Sequence, residues 1–275
     1  MEEIWAHKAM ASGFYDRNLR EDTLRKGLRD VVRLTDITSG DAWAWCSDWP
    51  AYKSTLSTPV LYFEAHHDIV MRDGCAVPPL LFSEGILEST GQDNRASCMA
   101  MHEFCRVWQL NRDVDPPTAP QTIIYCLWSD REETDMKCMR EWFAKCHRRH
   151  DGEFFVVLDV LHSNRDALGR INLGKGVYKF QDDPLDTFLR QTDLSGIMHQ
   201  SCLCVGPWPD PLKRSHGEVI FEHTRRVGRL CVPVYGAIAE CEKEDPLHAA
   251  HAFVSLSDVE QMYAKMWLIA KKFNP

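Results

Sequence analysis

The sequence predicts an α/β protein, a three-layer α/β/α sandwich with a mostly parallel central sheet. Short apolar runs, which are typical of buried strands, alternate along the chain with longer segments of helical periodicity. Alternating strands and helices favour parallel pairing, because each helix carries the chain back across the sheet. The composition agrees with a globular protein, since 44% of the 275 residues are hydrophobic and 26% are charged. We expect one domain, with a helical and loop-rich section over 1–58 and a core over 59–275.

The individual elements follow from local patterns. Leucine and valine recur at helical spacing over 21–34, and a tryptophan-rich segment over 41–52 is expected to pack along the edge of the core. A serine, Ser255 or Ser257, is expected to cap the last helix. The core is predicted to contain strands over 59–65, 76–82 (an edge strand weakened by prolines), 121–128 and 153–161, and helices over 94–110, 133–149 and 255–273.

Charge and hydropathy exclude several classes of function. The net charge of -8 repels a phosphate backbone, so we expect no nucleic-acid partner. No run of 18 apolar residues is present, so we expect no membrane partner. The acidic N-terminus lacks the features of an export signal. We therefore expect a cytoplasmic protein whose 11 cysteines are reduced.

Side chains that can bind metal follow three predicted strands and open one predicted helix. They are His66, His67 and Asp68 after the first strand, Asp93 at the helix, Asp130, Glu132 and Glu133 after the second strand, and Asp159 in the third. The chemistry of open α/β sheets gathers beyond the carboxyl ends of their strands. A pair of metal ions needs a bridging carboxylate and further carboxylate or imidazole ligands. A general base must lie near the reacting water without being a metal ligand.

Each of these groups also has a purely structural interpretation. His66 to Asp68 can be a polar strand end, and Asp93 can be only a helix cap. Glu132 and Glu133 can be acids that the helix dipole favours in a first turn. Asp159 is harder to explain by structure alone, because a buried carboxylate needs a partner.

The ordered set resembles the co-catalytic zinc exopeptidases of clan MH. Their pattern is H-x-D, D-D or D-N, E-E, D or E, and a late H, and here HHD, DN, EE and LDV occur in that order. The glutamyl and deblocking aminopeptidase branch is most similar. INLGKGV at 171–177 resembles its LGKGP, and HAAHAFVSLSDVE resembles its HSPxExVxLxDVE. The last match favours His248 as the late ligand, with His251 and His223 as alternatives.

The resemblance implies the role of each site residue. Two zinc ions are expected, with cobalt or manganese as alternatives. The substrate would be a peptide or a small amide, most simply that of an aminopeptidase, attacked by a hydroxide that bridges the metals. The implied roles are Asp93 as bridge, His66 and Asp159 at one metal, Glu133 and His248 at the other, Asp68 orienting His66, and Glu132 as general base.

The chain departs from this pattern at several points. EETD replaces the usual EEVG, and Ala252 replaces an acid of the last motif. Only about 24 residues separate Asp68 from Asp93, too few for the dimerisation domain of that branch. An oligomer is possible, but not the large assemblies built with that domain. A single-zinc acyltransferase or cyclase, and a non-catalytic metal-binding descendant, remain alternatives.

Overall fold

The structure is a computed structural model and describes residues 17–68, 81–83, 85–88, 92–114, 122–163, 203–204, 216–224, 226–235 and 252–273. These residues form one mixed sheet with helices on both faces. The helices are α1 (Arg17–Arg25), α2 (Trp49–Ser54), α3 (Gln92–Val114), α4 (Lys137–Lys145), α5 (His216–His223) and α6 (Leu256–Lys272). The strands are β1 (Val32–Arg33), β2 (Trp43–Cys46), β3 (Val60–His66), β4 (Leu81–Ser83), β5 (Ile86–Glu88), β6 (Ile123–Ser129), β7 (Phe154–Ser163), β8 (Leu203–Cys204), β9 (Val227–Tyr235) and β10 (Phe253–Ser255).

The centre of the sheet is parallel, as the sequence predicts. Its strand order is β1-β2-β6-β3-β7-β9-β10-β5-β4, with β8 also on β9. The four strands β6, β3, β7 and β9 run parallel, and the flanking strands pair antiparallel. The carboxyl ends of β3, β6 and β7 therefore meet at one edge, where the predicted site residues were expected.

Two apolar layers cover the faces of the sheet and account for the three-layer architecture. On one face, Phe63 and Trp128 pack beneath α3 and α6. On the other face, Tyr62 and Phe155 stack with ring centroids 4.2 Å apart, beneath α4 and α5. Alternating residues of β3 serve the two layers, as the period of two in a strand requires.

The helix predicted over 21–34 is wrong in its second half. The helix α1 ends at Arg25, and Gly27 adopts a left-handed φ of 78° that ends the helical turn. Val32 then pairs with Ala44 as part of β1. The valine pattern is compatible with either element, and pairing with β2 decides the outcome.

Two other elements differ from the sequence prediction, and one predicted cap is confirmed. The tryptophan-rich segment contributes a strand, β2, between β1 and β6 rather than only packing on the core. The helix predicted over 133–149 is shorter, since α4 spans Lys137–Lys145. Ser255 is confirmed as the cap of α6, where its hydroxyl accepts from the N–H of Ser257 at 3.2 Å. No helix within the described ranges has the length and apolar character needed to cross a membrane.

The first turn of α6 makes stability depend on pH. Burial raises the pKa of Asp258 from 3.8 to about 6, although Lys265 acts in the opposite direction. Burial disfavours the ionised form of Asp258 in the folded protein but not in the unfolded chain. The free energy of unfolding therefore falls as the pH rises from about 4 to about 6. We expect Asp258→Asn to gain about 1–2 kcal/mol at pH 8 and almost nothing at pH 4.

Urea denaturation of both proteins at the two pH values measures this difference. Asp113→Asn, which changes an exposed carboxylate in α3, is the control and should show no gain at pH 8. An equal effect of Asp258→Asn on stability at both pH values would contradict the raised pKa of Asp258.

Candidate metal centre

The site begins where β3 ends. His66 is the last residue of β3 and lies opposite Ser129, the last residue of β6. Glu64 pairs with Val157 in the parallel register of β3 and β7, so the same register carries His66 toward Asp159. His66 and Asp159 are both 3% exposed, and their side chains lie on the α4 and α5 face of the sheet. Two of the predicted ligands are therefore brought together by strand register alone.

A carboxylate lies near each nitrogen of the His66 ring. Nδ1 is 3.3 Å from Oδ1 of Asp68, and Nε2 is 3.7 Å from Oδ1 of Asp159. Neighbouring ligand atoms of a tetrahedral zinc site are about 3.4 Å apart, so the second pair is close to the spacing of two ligands on one ion. The first pair is the arrangement in which a carboxylate fixes the orientation of a ligand imidazole.

Asp68 also holds the loop that carries the two glutamates. Its Oδ1 accepts from the N–H of Glu132 at 3.2 Å, and its Oδ2 accepts from the N–H of Glu133 at 3.1 Å. Burial alone would raise the pKa of Asp68, but the His66 ring and the N–H of Glu133 outweigh burial and lower it. Asp68 is therefore an anion that connects the end of β3 with the loop after β6.

The two glutamates lie beside His66. One ligand atom each of His66, Glu132 and Glu133 falls within 4.8 Å of the other two. Imidazole nitrogen and carboxylate oxygen form a donor set that suits zinc and other divalent transition metals. Together with Asp159, these residues fit a metal centre. The division of labour between Glu132 and Glu133 stays a prediction.

The EETD departure has a structural explanation. The loop turns at Arg131, whose backbone is left-handed with φ of 68°. The Arg131 guanidinium donates to Asp135 at 2.6 Å and to the carbonyl oxygen of Ser39 at 2.5 Å. The N–H of Arg131 also donates to Asp130 at 2.9 Å. The residues around the glutamates therefore brace this loop by ion pairing, without the glycine that follows the glutamates in the related motif.

The start of α3 docks onto the same edge of the sheet. Asn94 donates to the carbonyl oxygen of Leu158 at 2.6 Å, and Ser97 donates to that of Asp159 at 3.2 Å. Asp93 precedes Asn94 in the first turn of α3, so its backbone is close to β7. The contacts of the Asp93 side chain lie outside the described part of the structure, and its bridging role stays a prediction.

Several predicted features fall outside the described residues. They are His248, its alternative His251, and the LGKGV segment within 171–177. The other alternative, His223, ends α5 and stacks on Phe143 with ring centroids 4.1 Å apart. It is exposed and is not part of the group around His66.

Two buried polar groups near the site were not predicted. The first consists of Glu64, Ser129 and His216, which hydrogen-bond to one another. Glu64 was visible as an acid inside an apolar run, whereas no sequence signal marks His216 among prolines and basic residues. The second centres on Asp41, whose carboxylate pairs with Arg20 at 3.1 Å.

Comparison with known proteins finds similar structures but no similar sequence. No protein-family model matches the chain, and no curated protein matches it. Aminopeptidase APDkam598 from Desulfurococcus kamchatkensis superposes with a TM-score of 0.64 at 9% identity, covering 100% of this chain and 96% of that one. Aminopeptidase PepT from Bacillus cereus gives 0.61 at 13% identity, covering 99% and 98%. The chain shares the fold of these aminopeptidases.

A third neighbour bears on assembly. The TET1 peptidase of Pyrococcus horikoshii, with a TM-score of 0.60 at 13% identity, covers 98% of this chain and 99% of its own. It can assemble into a tetrahedron or a large octahedral shell. Large assemblies thus occur among proteins of this fold, which does not match our expectation that they are absent here.

Proposed function

We propose that the protein is a peptide hydrolase with two metal ions, zinc by preference, and that it acts as an aminopeptidase. One observation carries the proposal. The His66 ring lies between Asp68 and Asp159, and Glu132 and Glu133 lie beside it. The aminopeptidase fold of its structural neighbours supports this interpretation. The substrate is a peptide or a small amide.

The residues that would hold the metals are those of the predicted set. His66 and Asp159 would hold one ion, and Glu133 and His248 would hold the other, with Asp93 between the two. Bound zinc supplies a Lewis acid for the carbonyl oxygen and lowers the pKa of water. Cobalt or manganese would suit the same oxygen and nitrogen donors.

The chain itself moves the proton. Glu132 would take a proton from the attacking water and return it to the leaving amine, the role of a general base that then acts as an acid. Its backbone is held by Asp68, so the Glu132 carboxylate is presented by an anchored loop. Asp68 also keeps the His66 ring in one orientation. The C–N bond breaks, and the carboxyl group and the amine are the products.

Metal content tests the proposal directly. Elemental analysis of the purified protein should give about two zinc ions per chain. Asp93→Ala should lose most of this zinc, because a bridging ligand serves both ions. Asp113→Ala, in the same helix and paired with Arg29 at its surface, is the matched control and should keep its zinc.

Other zinc contents, or zinc without activity, would favour a different function. About one zinc per chain would favour the single-zinc acyltransferase or cyclase reaction. Two zinc ions without cleavage of any aminoacyl substrate would favour a non-catalytic metal-binding protein. No metal, even after zinc is added, would overturn the proposal.

The remaining features of the proposal come from the sequence. The charge of -8 supports a protein without a nucleic-acid partner. The buried free thiols Cys98, Cys105, Cys126 and Cys138 are compatible with a reducing cytoplasm. Within clan MH, the glutamyl and deblocking branch is proposed on the quoted motifs.

A further inference from the structure

A buried polar cluster lies beside His66 and takes no part in the proposed hydrolysis. It consists of Glu64, Ser129 and His216, each 2% exposed or less. Glu64 is on the same face of β3 as His66, two residues earlier, and Ser129 faces His66 in the register of β3 and β6. His216 is the first residue of α5. Three separate elements thus contribute one side chain each.

The three side chains are bound to one another. Oε1 of Glu64 accepts from the hydroxyl of Ser129 at 2.6 Å and lies 2.7 Å from Nδ1 of His216. The hydroxyl oxygen of Ser129 is 3.0 Å from the same Nδ1. Taking a carboxylate out of water costs free energy that hydrogen bonds often fail to offset in full, and an apolar side chain here would avoid that cost. The cluster therefore makes the fold less stable than apolar side chains would, at a position next to the candidate metal centre.

Two contacts connect the cluster with His66. The ring of His216 stands perpendicular to that of His66, with centroids 6.3 Å apart, which is within the range of edge-to-face pairs. The carbonyl oxygen of Ser129 accepts from the N–H of His67 at 2.8 Å, immediately after His66. One contact restrains the ring of His66, and the other restrains its backbone.

We infer that Glu64, Ser129 and His216 are positioning residues that hold the His66 ring ready for metal. This role rests on the proposed function. Asp68 fixes the ring through Nδ1, and the cluster fixes the plane of the same ring from the side of α5. A ligand held in its bound orientation loses less conformational entropy when metal binds, so the affinity is higher.

Glu64→Gln and Ser129→Ala test this role with little change of shape. We expect Glu64→Gln to weaken zinc binding about 10- to 100-fold in competition with a chelator. Ser129→Ala removes one hydrogen bond and should have a smaller effect. In the zinc-free protein, nitrogen NMR of the His66 ring should show one orientation in the wild type and averaging in Glu64→Gln.

Tyr62→Phe is the matched control. It removes a buried hydroxyl from the same face of β3, where Tyr62 donates to the carbonyl oxygen of Arg148 at 3.2 Å, away from His66. Its zinc affinity and His66 signals should equal those of the wild type. Urea denaturation of every variant verifies that folded proteins are compared.

Two results would overturn the inference. One is unchanged zinc affinity together with unchanged His66 signals in Glu64→Gln. The other is an equal loss in Tyr62→Phe, which would indicate a general effect of stability. If the wild type bound no zinc, the proposed function would fail, while the zinc-free His66 signals would still decide whether the cluster positions the ring.

Discussion

Glu132→Gln will lower kcat for a peptide substrate about 10²- to 10⁴-fold while zinc content stays at the wild-type level. The amide keeps the size of the side chain but accepts no proton, so proton transfer to the leaving amine is lost. Because Asp68 binds the N–H of Glu132 rather than its carboxylate, the loop is expected to keep its conformation. Steady-state kinetics with an aminoacyl anilide, alongside elemental analysis, measures both quantities.

Glu133→Gln is the comparison that separates the two adjacent acids. It removes a predicted metal ligand, so zinc content should fall together with activity. Both carboxylates lie within reach of His66, and the pair of variants therefore assigns their roles. Loss of zinc in Glu132→Gln with zinc retained in Glu133→Gln would reverse the assignment.

Asp68→Asn should lower zinc affinity about 10- to 100-fold, with a matching fall in kcat/KM. The Asp68 carboxylate faces Nδ1 of His66 and accepts from two backbone N–H groups, at Glu132 and Glu133. An amide offers one acceptor oxygen, so it cannot serve all three. Chelator competition measures the affinity, and aminoacyl anilide kinetics measures kcat/KM.

Asp113→Asn is the control here. Asp113 pairs at the surface with Arg29 rather than with His66. Its zinc affinity should stay within about threefold of the wild type, since exposed ion pairs contribute little. Wild-type zinc affinity in Asp68→Asn would contradict the orienting role of Asp68.

The sequence predicts the central strands and the residues at their ends for one physical reason. Strands buried on both faces are continuous apolar runs, so a polar residue at the end of such a run stands out. His66 and Asp159 stand out for this reason, and in the structure Nε2 of His66 lies 3.7 Å from Oδ1 of Asp159. The distance itself depends on register between β3 and β7, which no local pattern encodes.

Long-range partners account for the features that sequence reasoning missed. The sequence does not predict the strand β2, because all four of its residues are buried and it therefore shows no apolar–polar alternation. His216 becomes part of a polar cluster through its hydrogen bond with Glu64, which lies 152 residues away in the sequence. The second half of the helix predicted over 21–34 was wrong because pairing of Val32 with Ala44 outweighs a helical pattern broken by Gly27.

The position of β2 in the sheet has a consequence for synthesis of the chain. Its antiparallel neighbour β6 begins at Ile123, and 76 residues lie between Cys46 and that strand. At 5–20 residues per second, the ribosome needs about 4–15 s to make that stretch. During this interval Trp43 and Trp45 have no strand to cover them from the β6 side. The nascent chain therefore exposes an apolar strand edge for seconds, the condition under which chaperones bind and chains aggregate.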